Sequence, residues 1–260
     1  MTTVLEKIVA TKKGEVAVAK REMPVEQLRE RLDQAPPVRN FLSAIGANTG
    51  VSLIAEVKKA SPSKGIIRED FDPLEIAQIY QANGATCISV LTDETYFQGR
   101  LGYLTEIRQA VGIPVLRKDF LIDSYQLLEA RVAGADAVLL IAECLDDCNL
   151  RKLHNEALEL GMTPLVEFYE PENLSRVVEA GATLIGINNR DLRTFHVDLQ
   201  HTIRLRQQLP DDCLVVGESG IHGHTDLKLL ADAAVDAVLV GEHLMAQPDI
   251  AHAVRRLLGR

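Results

Sequence analysis

Asn83-Gly84-Ala85-Thr86-Cys87-Ile88-Ser89-Val90 reads as a helix end, a tight turn and the opening of an apolar strand. The phrase returns as Ala133-Gly134-Ala135-Asp136-Ala137-Val138-Leu139-Leu140, as Ala180-Gly181-Ala182-Thr183-Leu184-Ile185-Gly186-Ile187, and as Ala233-Ala234-Val235-Asp236-Ala237-Val238-Leu239-Val240. The copies recur at about 50 residues, room for two strand–helix units each. Gly84, Gly134 and Gly181 suit the left-handed residue that ends a helix. The fourth copy has Ala234 there, so a different turn is expected.

Counting outward from these phrases gives eight strand-like runs, at 52–57, 86–91, 114–117, 137–141, 163–167, 184–187, 213–217 and 237–240. Segments of helical period lie between them, such as 73–82, 124–133, 149–160 and 173–180. Such alternation implies parallel strands joined by helices, and strands this apolar are buried on both faces. The expected fold is α/β, a single (β/α)8 TIM barrel whose even-numbered strands carry the repeat. The first 50 residues fall outside the pattern: 5–19 looks helical, and Gln34-Ala-Pro-Pro37 breaks any continuation. They are expected to form an N-terminal helical extension (1–50) packed on the barrel (51–260), which forms one catalytic domain, because so short a piece cannot bury its own core.

The chain of 260 residues is 47% apolar and 25% charged, ordinary for a globular protein of one barrel's length. A net charge of −9 argues against a nucleic-acid partner but leaves room for a small anion held by a local cluster of cations. Cys87, Cys144, Cys148 and Cys213 are too few for a disulfide framework, and no His or second Cys pair stands at metal-ligand spacing beside Cys144 and Cys148. Neither a secretory leader nor a membrane-length apolar run is visible, so the expected setting is a reducing cytoplasm. The chain is expected to be a monomer with no obligate protein partner.

Function in such a barrel sits at the C-terminal ends of strands. Strand 1 ends in Glu56-Val57-Lys58, strand 3 in Arg117-Lys118-Asp119, strand 5 in Glu167, strand 6 in Asn188-Asn189-Arg190 and strand 7 in Glu218-Ser219-Gly220. Strand alternation puts Glu56 and Lys58 on the face of Ile54, Lys118 with Leu116, Glu167 with Leu165, Asn188 with Gly186, and Glu218 with Val216. One choice of parity on each strand gathers all six at one mouth. The rival reading is that these charges only mark where strands reach solvent. As a converging group they would have to pair with one another or with a ligand. After strands 7 and 8, Glu218-Ser219-Gly220-Ile221 and Val240-Gly241-Glu242-His243 each open a helix. Gly220 and Gly241 let backbone approach an anion at helix N-termini, as a phosphate cradle would require. Glu242 would then have to turn away from the phosphate.

Six stretches resemble indole-3-glycerol-phosphate synthases: Ile54-Ala-Glu-Val-Lys-Lys-Ala-Ser-Pro-Ser63, Ser89-Val-Leu-Thr-Asp-Glu94, Leu116-Arg-Lys-Asp-Phe120, Val166-Glu-Phe168, Gly186-Ile-Asn-Asn-Arg-Asp-Leu192 and Gly217-Glu-Ser-Gly-Ile221. They run in order through the barrel, and that family also carries an extra helix before strand 1. The resemblance implies ring closure, decarboxylation and dehydration of an anthranilate-bearing ribulose phosphate in tryptophan biosynthesis, with no metal or organic cofactor. It implies Lys118 as general acid on the substrate ketone and Glu167 as general base. Lys58 would bind substrate and assist dehydration, and Glu56 would position the lysines. Asn188, Arg190 and Glu218 would orient the substrate. Ser61, Ser219, Gly220 and Gly241 match phosphate-contacting positions, and Phe120 would wall the anthranilate ring. Two alternatives stay open: another phosphate-binding barrel enzyme such as phosphoribosylanthranilate isomerase, and a non-catalytic barrel that binds an anionic metabolite.

Overall fold

Each repeat phrase delivers one strand of a closed sheet. In the computed structural model, which describes residues 3–191 and 193–260, the strands are β1 (Ser52–Val57), β2 (Cys87–Leu91), β3 (Val115–Lys118), β4 (Ala137–Ile141), β5 (Thr163–Phe168), β6 (Leu184–Asn188), β7 (Leu214–Glu218) and β8 (Ala237–Val240). Met1, Thr2 and Leu192, the last residue of one quoted motif, lie outside the described residues. All eight strands are parallel, each pairs with its neighbour in sequence, and β8 closes the ring against β1 from Ser52–Ala237 to Ala55–Val240. Four strand ends run one residue further than the apolar pattern suggests, to Lys118, Phe168, Asn188 and Glu218. Pairing explains this: Lys118 stands opposite Leu91, and Asn188 opposite Glu218, so the ladder holds polar residues that hydrophobicity alone would assign to loops.

The helices are α1 (Val4–Glu22), α2 (Val25–Arg31), α3 (Phe41–Gly46), α4 (Pro73–Ala82), α5 (Leu101–Ala110), α6 (Ser124–Ala133), α7 (Asp147–Glu159), α8 (Leu174–Glu179), α9 (Gln200–Arg206), α10 (His224–Asp232), α11 (Glu242–Met245) and α12 (Ile250–Leu257). Side-chain caps set several starts. Asp72 accepts from the amides of Leu74 and Glu75 at 3.0 Å each, with Pro73 already holding the φ that a first helical residue needs.

Parity is settled by the two apolar layers. Ile54, Cys87, Leu116, Ala137, Leu139, Ile141, Leu165, Leu184, Val216, Ala237 and Leu239 fill the barrel interior, and Phe41 and Ile45 of α3 join them. Leu53, Ala55, Val57, Ile88 and Val90 point outward, into the layer shared with the helices. Each large apolar side chain buried this way contributes about 1.5–3 kcal/mol.

The extension does two separate jobs. α3 packs against the interior cluster, while α1 crosses to the other side, where Val4, Leu5 and Ile8 wall the cavity at the strands' C-terminal ends. Lys12 ties α1 down: its buried ammonium lies 2.9 Å from Asp93 Oδ2, 2.9 Å from Asp119 Oδ1 and 2.7 Å from Glu15 Oε2. Burial alone would discharge it, but Asp119, Glu15 and Asp93 more than compensate, so its pKa lies above that of an ordinary lysine.

The repeat also has a twofold component. Asp136 and Asp236 occupy one position of their phrases and do the same work, accepting the amide of Val115 at 2.9 Å and that of Val215 at 2.8 Å. The other two phrases have Thr86 and Thr183 there. Contrary to the expectation of a different turn, Ala234 keeps the left-handed conformation of Gly84, Gly134 and Gly181, with φ 57° against 104°, 95° and 87°. An L-residue held there is strained by about 1–2 kcal/mol, part of which glycine gives back through its freer unfolded chain. Ala234→Gly should therefore stabilise the fold by about 1 kcal/mol and raise Tm by roughly 2–4 °C. A thermal melt with Tm unchanged or lowered would contradict this account of the turn.

Candidate active site

Above the last apolar layer of the interior the inward positions turn polar. Glu56, Lys118, Glu167, Asn188 and Glu218 come from β1, β3, β5, β6 and β7, and Lys58 follows β1. All six line one cavity at the C-terminal ends of the strands, as do Ser61, Phe120, Arg190, Ser219, Gly220 and Gly241. The rival picture, in which each charge merely reaches solvent, does not hold. Glu56, Glu167 and Glu218 are buried, and Lys118 and Lys58 keep only 14% and 15% of their side-chain surface exposed.

Pairing solves the burial. Lys118 Nζ lies 2.8 Å from Glu167 Oε2 and 3.3 Å from Glu218 Oε2, and Lys58 Nζ lies 2.6 Å from Glu56 Oε2. Asn188 Nδ2 donates to Glu167 Oε1 at 3.0 Å, and the Asn188 side-chain oxygen accepts the Arg190 amide at 3.0 Å. For Lys118, burial opposes the charged form, but Glu167, Glu218 and Glu56 overcome it and raise its pKa, so it remains an ammonium. Burial also works against ionised Glu167, yet Lys118 and the bond from Asn188 bring it below the ordinary carboxylate range. Glu218 goes the other way. Burial and the neighbouring Glu167 charge push its carboxyl up to about 8, against partial relief from Lys118. Two adjacent carboxylates facing one ammonium thus divide into an anion and an acid.

Two glycines exist for the carboxylates. A Cβ on Gly186 would lie 2.4 Å from Glu218 Oε1, which fits the expectation that the missing side chain leaves room. At Gly241 a Cβ would lie 2.1 Å from Glu56 Oε2, so the side chain of Glu56 also forbids one, a reason the backbone-approach argument did not contain. Ser219 and Gly220 form a left-handed turn after β7, with φ 67° and 79°. Ser61 lies in a short antiparallel pair (Ala60–Ser61 with Gly65–Ile66) that leaves β1, its Oγ 3.4 Å from that of Ser63. Phe120 packs its ring 6.0 Å from Phe97. Glu242 lines the cavity, held by Arg190 and close to Lys64.

Sequence reasoning missed several lining residues. Leu91, Leu139 and Ile141 line the cavity and share the inward parity, so the same argument could have found them. Phe97 lies on the loop after β2, where no period applies. Val4, Leu5 and Ile8 sit on a helix whose docking place no local pattern states. His222 and His243 meet edge to face at 5.5 Å beside the two glycine turns, and burial and His222 lower the pKa of His243. Among the described residues no helix is long and apolar enough to cross a membrane.

Fold and site together define a (β/α)8 barrel that carries a cluster of paired lysines and glutamates at its mouth. Solved barrels share the architecture at low identity: 3-hexulose-6-phosphate synthase from Salmonella typhimurium aligns with TM-score 0.65 and 15% identity over 80% of this chain and 96% of its own. Sequence comparison is more specific. The family model for indole-3-glycerol phosphate synthase matches residues 5–257, and the chain belongs to that family. Curated relatives of that name include those of Rhodopirellula baltica, 53% identical over 98% of this chain and 99% of the relative, and Roseiflexus castenholzii, 49% identical over the full length of both.

The raised Glu218 carboxyl has a stability consequence. With its pKa raised from 4.5 unfolded to about 8 folded, the native state holds an extra proton between those values. Its contribution is complete below pH 4.5 and is lost as pH rises toward 8. Glu218→Gln should therefore flatten the fall of Tm between pH 5 and 8, measured by calorimetry at fixed ionic strength. Parallel Tm–pH curves for both proteins would mean that Glu218 is ionised throughout.

Proposed function

We propose that this chain closes the indole ring of 1-(2-carboxyphenylamino)-1-deoxyribulose 5-phosphate, releasing indole-3-glycerol phosphate, carbon dioxide and water. The observation that carries the reading is Lys118, an ammonium between Glu167 and Glu218 in a cavity with an aromatic wall after β2 and β3 and two glycine turns after β7 and β8. Binding an anion needs a cation; it does not need an acid and a base beside each other.

Lys118 gives a proton to the ketone oxygen as the ring carbon bearing the carboxylate attacks the ketone carbon. One carbon–carbon bond forms and the carbonyl π bond breaks. Loss of carbon dioxide returns its electron pair to the ring. Lys58 protonates the new hydroxyl, which leaves as water, and Glu167 takes the proton from the adjacent carbon to complete the indole. Two protons are donated and one is recovered, a net uptake of one that matches a carboxylate leaving as carbon dioxide. Each step is a proton transfer or a heterolytic cleavage, so the chemistry calls for no metal or organic cofactor.

Glu56 holds Lys58, and Asn188 holds Glu167, while Arg190 and Glu218 orient the substrate. Phe120 and Phe97 take the anthranilate ring. Ser61, Ser219 and the turns at Gly220 and Gly241 take the phosphate, supported by the left-handed turn at 219–220 and the helices that follow. The barrel acts as one catalytic domain with its helical extension, as a cytoplasmic monomer.

Positioned acids are worth roughly 100- to 10,000-fold in rate and act mainly in the transition state. Lys118→Ala should lower kcat by that factor and change KM by much less. Gly241→Asp, by contrast, should raise KM through lost phosphate binding and also lower kcat, because its side chain strikes Glu56. Steady-state assays of ring closure on both folded variants test the assignments. Near-normal kcat in Lys118→Ala would remove the general acid, and a wild-type chain that binds the substrate without turning it over would establish a binding barrel instead.

A further inference from the structure

We propose that Glu242 is a built-in stand-in for the substrate's phosphate, occupying the cations beside that subsite until a phosphomonoester dianion displaces it. The inference rests on the reading of Gly220 and Gly241 as the phosphate cradle. Glu242 follows Gly241 directly and lines the same cavity. Its Oε2 accepts from Arg190 Nη2 at 3.2 Å, and its Oε1 lies 3.8 Å from Lys64 Nζ. The three partners come from three separate segments: Glu242 opens α11 after β8, Arg190 follows β6, and Lys64 sits in the turn of the antiparallel pair that leaves β1.

The chemistry of the triad fits exchange. A guanidinium fork receives a carboxylate and a phosphate in the same geometry, so one anion can replace the other. Arg190 and Glu242 keep 20% and 28% of their side chains exposed and share a single 3.2 Å bond, while Lys64 keeps 58%, so the pair stays open to solvent from the cavity and an incoming anion can displace the carboxylate. A single carboxylate charge yields to the two charges of a phosphate monoester. It competes better against a ligand that has nothing but its anion. The result is discrimination: inorganic phosphate is held poorly, while a substrate that also engages the aromatic wall and Lys118 is held well. On product departure Glu242 recaptures Arg190, which disfavours rebinding.

The test titrates inorganic phosphate into the intact chain by calorimetry and follows KM for ring closure in parallel. Glu242→Gln should tighten phosphate binding by about five- to ten-fold and lower KM, the effect expected from freeing the guanidinium of one partly exposed ion pair. In an Arg190→Gln background the same substitution should shift Kd by less than about two-fold, because no captive guanidinium remains to be freed. A gain of the same size in both backgrounds would show that Glu242 only repels anions, and would overturn the proposal. Phosphate that competes with substrate but binds Glu242→Gln no more tightly overturns it as well, and leaves the cradle standing. Phosphate that does not compete with substrate overturns the cradle and the stand-in together.

Discussion

Closure of the sheet is the constraint on which the other features depend. With β8 bonded to β1, every strand has one set of side chains facing a common interior, and a shift of one residue would exchange that set for the helix-facing one. The interior is filled by Ile54, Leu116, Leu165, Val216 and their neighbours, with α3 at one end. Residues two positions further along the same strands then have only each other for company. Glu56, Lys118, Glu167 and Glu218 are withdrawn from water by the geometry of the ring, and their ion pairs answer that withdrawal.

The electrostatic arrangement follows from desolvation acting on an odd number of carboxylates. Two lysines face three glutamates, and a third buried negative charge would stand unbalanced. The protein resolves this by keeping the proton on Glu218, which lies further from Lys118 than Glu167 does, while Glu167 also receives the bond from Asn188. The crowding reaches the backbone: the space Glu218 and Glu56 need is taken from Gly186 and Gly241. The missing side chain at Gly241 makes room for Glu56 in the same turn that is proposed to accept the phosphate.

Much of this was legible in the sequence because a closed barrel ties two simple periods to one another. The repeat counts the strands, alternation within a strand names the inward residues, and the strand ends locate the mouth; the residues chosen that way do line one cavity. What escaped has no such period behind it. Lys12 looks like any lysine on an amphipathic helix, yet its partners Asp93 and Asp119 lie far along the chain, and only the docked position of α1 makes it a buried cation. Ala234 could not announce its left-handed backbone, since alanine there is tolerated by the surrounding fold and not preferred by it. The pairing of Glu242 with Arg190 joins two segments far apart in sequence that meet over the barrel, which no local pattern states.

The position of α1 has a practical side. Its first turn, with Val4, Leu5 and Ile8, is part of the cavity wall, whereas Arg260 packs over Gly84, in the turn that leads into the opposite end of β2. The start of α1 and Arg260 therefore lie at opposite faces of the barrel. An affinity tag, a tether to a solid support or a fused enzyme joined after Arg260 leaves the substrate's route clear. The same addition placed ahead of α1 stands in the doorway.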